Sequence, residues 1–369
     1  MNTTVADLPA LATDRAAPGL LGLAERGLLP DALVRFGIRR LCKQRLDACK
    51  EGGPEAERAR HLALVQTLAT APVAVHTDEA NAQHYEVPTA FFQHCLGARL
   101  KYSSCYFPTG TETLDEAEQA MLERYAERAQ LADGQDILEL GCGWGSLTLW
   151  MAERYPAARI TAVSNSHSQR AHIEGEALRR GLGNIRVLTC DINALSLSPS
   201  QFDRCVSVEM FEHVRNHDAL MHRIAQWLRP DGALFVHIFV HRQSAYLFET
   251  EGEDNWMGRH FFTGGMMPAA DTLLWLQKDL RIDEQWLVNG THYERTANAW
   301  LANQDRHRDE VMRVLVEAYG STALATLWFH RWRIFWMSCA ELFGYAQGQE
   351  WMVAHYRFVP QAHRGGQPS

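Results

Sequence analysis

The stretch Glu139-Leu-Gly-Cys-Gly-Trp-Gly145 joins a β-rich run, residues 136–140, to a helical pattern that continues through Arg154. Glycines at 141, 143 and 145 let the backbone turn tightly and let a ligand approach the main chain. Outward from this turn, short β-rich runs alternate with helical patterns. Residues 159–163, 184–188, 202–208 and 233–240 read as further strands. One helix runs from about Ser168 to Arg180, another ends near Trp227, and Pro230-Asp231-Gly232 turns the chain into the fifth strand. Alternation at this spacing predicts an α/β fold with a parallel, doubly wound, Rossmann-like sheet. Ligands of such sheets bind beyond the carboxyl ends of the strands.

The whole chain has 369 residues, enough for one large domain with additions or for two. Its 36 basic and 44 acidic residues leave a formal charge of −8, which argues against a nucleic-acid partner. No run approaches the ~20 apolar residues that span a bilayer. The densest, residues 232–240, has strand length. The N-terminus lacks the basic and apolar regions of a secretory signal. The eight cysteines form no CxxC pair, and their spacing suits neither zinc nor a disulfide framework. No metal is expected, and the expected location is the reducing cytoplasm.

Residues 1–19 read as a loosely held tail, and residues 20–68 as helical with a break at Gly52-Gly53-Pro54. The basic face formed by Arg35, Arg39, Arg40, Lys43 and Arg45 reads first as a solvated surface; contact with anionic headgroups is the alternative. After Val240 the alternation stops. Residues 241–369 are aromatic-rich and mostly helical in pattern, with Trp328, Trp332, Phe335 and Trp336 at helical spacing. Such a stripe packs as core, and it also lines a ligand site if this segment caps the open end of the sheet.

The glycine turn excludes the commonest ligand class. A dinucleotide site needs glycine at position 146, where this chain has serine, and an acid after strand two, where it reads Val163-Ser164-Asn165. What remains is an adenosyl ligand without a diphosphate. Glu139 at the strand end can face a cationic ligand, and S-adenosylmethionine fits this pattern. Ser164, Asn165 and Ser166, with Gln169, offer amide and hydroxyl groups for the ribose. Capping of the next helix by Asn165 or Ser166 is compatible with that role. Asp191, at the end of strand three, can accept the adenine amino hydrogens or simply form a turn.

Just past strand four stands Glu209-Met-Phe-Glu212-His213. The three titratable residues are three and four apart, so one helical turn would point them the same way, over the glycine loop. An amine that accepts a methyl group must be neutral to attack, and His213 or Glu212 would take its proton. Carboxylates would then stabilise the growing ammonium charge. The structural alternative is a helix start with acids at its positive dipole end. Two acids and a histidine at a strand's carboxyl end favour chemistry.

These residues resemble the cyclopropane-fatty-acyl-phospholipid synthase superfamily of S-adenosylmethionine-dependent methyltransferases, and within it the coclaurine N-methyltransferase branch. The matching stretches include His84-Tyr85-Glu-Val-Pro88, Leu100-Lys-Tyr-Ser-Ser-Cys-Tyr-Phe107 and Phe261-Phe-Thr-Gly-Gly265. Further matches are His292-Tyr-x-Arg-Thr296 and Cys339-Ala-Glu-Leu-Phe-Gly-Tyr345. The resemblance covers about residues 78–358. It implies that Tyr102 and Ser103 close over the methionine part of the cofactor, that Gly141 and Gly143 make backbone contacts, and that Asn165 and Gln169 hold the ribose. It implies that Glu209, Glu212 and His213 form the catalytic cluster for a tetrahydroisoquinoline-type amine. His237, Trp332 and Phe335 would contact the substrate.

Departures from the pattern separate the branches. Lipid-modifying members carry a cysteine that helps hold a bicarbonate base; that position is Ser104 here. They have glycine in place of Glu209, and a late-helix tyrosine where this chain reads Ile334-Phe335-Trp336. Of their His-x-Ile element only His237 survives. A bicarbonate belongs only to the lipid reading, in which the acceptor is the double bond of an unsaturated phospholipid acyl chain. The leading expectation is N-methylation of a small aromatic or benzylic-type amine. A non-catalytic interaction protein on the same scaffold is the third reading, opposed by the intact glycines and acid cluster. The expected organisation is a tail and helical segment at 1–75, a cofactor lid at 76–130, the cofactor-binding core at 131–240 and a substrate cap at 241–369. Exposed aromatics of the cap offer a face for a homodimer, and the basic helix one for peripheral membrane contact.

Overall fold

The computed structural model describes residues 15–74, 87–251 and 255–361. His84, Tyr85 and Glu86 of the first matching stretch, and residues 1–14 of the tail, lie outside the described residues. Three helices open the chain: α1 (Gly19–Glu25), α2 (Asp31–Lys50) and α3 (Gly53–Leu68). After α4 (Thr89–Cys95) comes α5 (Leu114–Ala129), started by a capping box in which Thr113 and Glu116 satisfy each other's backbone N–H. The core then alternates as expected: β1 (Asp136–Leu140), α6 (Ser146–Arg154), β2 (Arg159–Ser164), α7 (His167–Arg180), β3 (Ile185–Thr189) and β4 (Phe202–Val208). It continues with α8 (His217–Trp227) and β5 (Leu228–His241).

The cap region departs from the sequence reading. It contains a two-stranded ribbon, β6 (Tyr246–Leu247) and β7 (Met266–Met267), around the short α9 (Trp256–His260). It also contains two long strands, β8 (Leu280–Val288) and β9 (Trp351–Pro360), flanking α10 (Thr291–Arg306), α11 (Arg308–Tyr319) and α12 (Thr322–Gly344). The main sheet therefore has seven strands in the order β3-β2-β1-β4-β5-β9-β8. The five strands of the core are parallel, whereas β9 runs antiparallel to both β5 and β8. β9 reads Trp-Met-Val-Ala-His-Tyr-Arg-Phe and is buried over its first eight residues. It is an apolar run without clean alternation because both of its faces are covered. The sequence reading missed it for that reason, and because tryptophan and phenylalanine recur through the helices before it.

The sheet has one core on each face. Phe235 and Phe239 of β5, with Trp351 and Val353 of β9, pack against α5, α10 and α12. Leu234, Val236 and Ile238, with Met352, Ala354 and Tyr356, form the opposite layer with α8. This period-2 split places His237 and His355 on the α5 side, and the strand register sets them directly opposite each other.

The basic face of α2 is partly engaged within the fold. Arg35 and Arg39 donate to Glu341 of α12 at 2.8 and 2.7 Å, Lys43 pairs with Asp47, and Arg45 lies over the Tyr246 ring. Among the described residues, no helix is long and apolar enough to cross a membrane.

Candidate active site

Strand β1 delivers the glycine turn to the open end of the sheet, where it bounds a deep cavity. Gly141 sits at φ +79°, and a Cβ there would lie 2.7 Å from Cβ of Met210, so only glycine fits beneath the acid cluster. Gly143, at φ +52°, opens onto the cavity, and a Cβ there would meet no atom within 4 Å. Glu139 is 2% exposed and accepts from Thr148 Oγ1 at 2.5 Å. Burial pushes its carboxyl up to about 8, against the pull of that hydrogen bond.

The end of β2 settles the capping question. Ser166 caps α7, its oxygen accepting from the Gln169 N–H, and Asn165 is left to line the cavity. Gln169 reaches back to Ser164 at 2.7 Å, and its buried Nε2 has no hydrogen-bond partner among the described residues. That orphaned amide points to a polar ligand, because a buried donor without a partner is costly. Asp191 lines the same cavity while its Oδ1 holds the turn through the Asn193 N–H. Tyr102 and Ser103 line the same cavity. This chamber fits an adenosyl ligand carrying a cationic end: its lining brings together the amides of Asn165 and Gln169, the carboxyl groups of Glu139 and Asp191, and glycine backbone.

Glu209, Glu212 and His213 converge as the sequence reading expects, though by a different local structure. The turn is a 3-10 helix over Phe211–His213, too short for the full helical turn inferred from the spacing. Glu209 precedes it with φ +45°, an unusual conformation for a residue with a side chain. The Glu209 carboxylate takes three donors. Its Oε1 accepts from the Ser104 N–H at 2.9 Å and from His237 Nε2 at 3.0 Å, and its Oε2 accepts from the Tyr293 hydroxyl at 2.7 Å. Burial raises the Glu209 pKa overall, and Lys101 with the hydrogen bonds from Ser104 and Tyr293 limits the rise. Glu212 is 1% exposed, its Oε2 has no hydrogen-bond partner among the described residues, and burial followed by repulsion from Glu209 pushes it well above the carboxylate range. The pair therefore divides one charge and one proton, with the charge on Glu209. His213 stacks on Phe262 with ring centroids 4.8 Å apart.

Beside this cluster lies a second chamber. Tyr102, Glu209 and His213 line both chambers, and Phe239, Phe262, Tyr293 and Phe335 furnish aromatic walls of the second. Two of the expected substrate contacts need correction. Trp332 is fully buried and stands behind Phe335, packed on Phe91 and Trp336, so it supports the wall without lining it. His237 is likewise fully buried and reaches the site only through Glu209. The sequence reading assigned no role to Tyr293 or Lys101. Tyr293 stands in the quoted His292-Tyr-x-Arg-Thr296 stretch, which was the available signal. Lys101, 2% exposed, donates to Ser103 Oγ and the Ser104 carbonyl at 2.6 Å each, and burial lowers its pKa.

Ser104 and His237, two positions associated with bicarbonate in lipid-modifying members, both bind the Glu209 carboxylate instead. A side-chain anion occupies that place, so the residues present do not fit a bicarbonate.

Comparison with known proteins follows the same lines. Residues 74–349 match the family described as mycolic acid cyclopropane synthetase. The chain is 38% identical over 342 residues to (S)-coclaurine N-methyltransferase of Thalictrum flavum subsp. glaucum, covering 92% of this chain and 94% of that one. Its fold is similar to a crystal structure of coclaurine N-methyltransferase bound to N-methylheliamine and SAH. That match has a TM-score of 0.89 at 36% identity, and covers 92% of this chain and 98% of the other. Cyclopropane-fatty-acyl-phospholipid synthase of Escherichia coli (strain K12) is 28% identical over 220 residues, 59% of this chain and 54% of that one.

Proposed function

The chain belongs to the mycolic acid cyclopropane synthetase family, and from that premise we propose that it N-methylates a small benzylic amine of the tetrahydroisoquinoline type. It is an S-adenosylmethionine-dependent methyltransferase. The observation that carries the choice of acceptor is the Glu209 carboxylate, anchored by three donors in the wall between the two chambers. An anion fixed there stabilises an ammonium, and a carboxylate engaged by three donors is poorly placed to be the base that methylation of a double bond requires.

The bound cofactor supplies an electrophilic methyl group. Backbone at Gly141 and Gly143, the amides of Asn165 and Gln169, and the carboxylates of Glu139 and Asp191 would hold it, with Tyr102 and Ser103 against its methionine part. The chain's further work is positioning, an effect worth up to ~7–11 kcal/mol where geometry is well set. The aromatic chamber receives the ring system and keeps water from it. His213, oriented by Phe262, is the group that takes the proton of the amine, since Glu212 already holds one. Glu209 remains the counter-ion of the product. All eight cysteines are thiols, which supports a reducing, cytoplasmic setting.

The test offers isotopically labelled S-adenosylmethionine to the purified protein with two acceptor pools, monounsaturated phospholipid vesicles and a panel of tetrahydroisoquinoline and benzylic amines. Label is expected on an amine. Glu209→Gln should lower kcat by roughly 10²-fold, the order seen when one preorganised electrostatic contact is removed, while S-adenosylhomocysteine still binds. Label in the acyl chain, or full turnover by Glu209→Gln, would remove the amine assignment.

A further inference from the structure

A continuous chain of buried side chains runs from Glu209 to the outer side of α5. His237 Nε2 lies 3.0 Å from Glu209 Oε1, His355 Nε2 lies 2.9 Å from His237 Nδ1, and Arg128 Nη1 lies 2.7 Å from His355 Nδ1. Both imidazoles are 0% exposed. The tautomers follow from one fact: a guanidinium only donates. Arg128 therefore makes His355 Nδ1 an acceptor, so a neutral His355 carries its proton on Nε2 and donates to His237 Nδ1. His237 then carries its proton on Nε2 and donates to Glu209. Every hydrogen bond in the chain points inward, toward the carboxylate.

We propose that Arg128, His355 and His237 form an electrostatic brace that keeps Glu209 ionised, so that the proton released by the amine goes to His213. The inference rests on the amine reading for its purpose but not for its existence. A proton wire is the competing idea, and the geometry opposes it. Outward conduction would need every donor reversed, and the chain ends on an arginine that keeps its proton at neutral pH, burial lowering it only to about 10. Hydrogen bonds in such a chain polarise one another, so the terminal cation acts on Glu209 through two neutral rings.

Other charged and titratable groups bear on these residues from each neighbouring element. Lys101, in the segment before α5, lowers the pKa of both Glu209 and His237. Arg124 and Arg128 of α5 act with Lys101 on His355, against a background in which burial is the largest influence. Tyr125 of α5 places its hydroxyl 3.0 Å from His237 Nδ1. Glu212, and the Cys339 thiol of α12, feel the Glu209 charge from the substrate side. With His237 Nδ1 an acceptor, the Tyr125 hydroxyl can donate there beside His355, in the same inward sense as the line from Arg128. In this scheme the three residues are positioning residues, since only Glu209 faces the chambers.

The test uses infrared difference spectra of the full chain against its Glu209→Gln counterpart at neutral pH, without any amine, which isolates the Glu209 carboxyl. The parent should show ionised carboxylate only. His355→Leu and Arg128→Met should each reveal a protonated Glu209 carboxyl, whereas His355→Gln, which can still accept from Arg128 and donate to His237, should restore the parent spectrum. Arg128→Met alters a half-buried position and keeps the question open to experiment if His355→Leu does not fold. In turnover, the acid limb of the kcat/KM profile should move up by about one pH unit in His355→Leu, about a tenfold loss on that limb, and return in His355→Gln. An ionised Glu209 in both His355→Leu and Arg128→Met would overturn the brace. If the parent methylates no amine, the amine reading fails while the infrared result still decides the brace.

Discussion

Glu139 and Glu209 are both acids at the carboxyl ends of strands, and burial raises the pKa of each, yet their surroundings oppose it unequally. Glu209 has three donors and a nearby lysine. Glu139 has one hydroxyl donor, and burial dominates, raising its pKa to about 8. The sign of the pH effect follows. The folded protein holds a proton on Glu139 that the unfolded chain releases near the ordinary carboxylate value, ~4.3. Folding stability is therefore expected to fall as pH rises from that value toward 8. Glu139→Gln should flatten this slope and make the ligand-free protein more stable than the parent at pH 8. Chemical denaturation of both proteins at pH 5 and pH 8 checks it; equal slopes would contradict it. Weaker binding of S-adenosylmethionine is the expected accompaniment, because a cationic sulfonium ligand favours the ionised form of Glu139, which glutamine cannot supply.

At the scale of elements, the N-terminal helix is tied to the aromatic chamber by a single buried acid. Glu25 of α1 is 0% exposed and accepts from Trp256 Nε1 at 2.8 Å, the Ala17 N–H at 2.7 Å and Arg331 Nε at 3.0 Å. Burial pushes its carboxyl up, but these donors and the Arg331 charge leave its pKa lowered overall. Trp256 starts α9, whose Met257 lines the aromatic chamber, and Arg331 stands on α12 one turn before Phe335. Glu25→Ala leaves the buried Arg331 without its partner and should cost about 3–5 kcal/mol, read as a lower Tm by circular dichroism. KM for the amine should rise more than kcat falls, since the loss lies in the chamber wall. The parent's stabilisation from Glu25 is present above the ordinary carboxylate pKa and disappears as pH falls through the lowered value. The Tm difference between the two proteins should therefore shrink below about pH 4.

At the scale of the molecule, the last strand is central. β9 pairs with β5 on one side and β8 on the other, and carries His355 to the brace. A chain ending before Trp351 would expose both neighbours along their length and uncover both cores. It is expected to fail to fold, with loss of the cooperative thermal transition; a soluble, cooperatively melting product would refute this. The sequence by itself determined the doubly wound core, because strand and helix periods alternate there with turn residues between them. It also indicated which residues meet in the first cavity: Glu139, the glycines, Asn165 and Asp191 sit at or just past strand ends, Gln169 in the first turn of the helix that follows β2, and topology sends strand ends to one place. Glu209, Glu212 and His213 were legible as a compact cluster. Only the tertiary structure decided what surrounds them. Tyr293, Lys101 and His355 come from segments far apart in the chain, and no local period reports a contact between them. The same holds for Trp332, which helical spacing puts beside Phe335 but which packing turns away from the chamber. Local pattern records how a residue relates to its neighbours in sequence, whereas a buried hydrogen-bond chain is fixed by strand register and by which faces the cores cover.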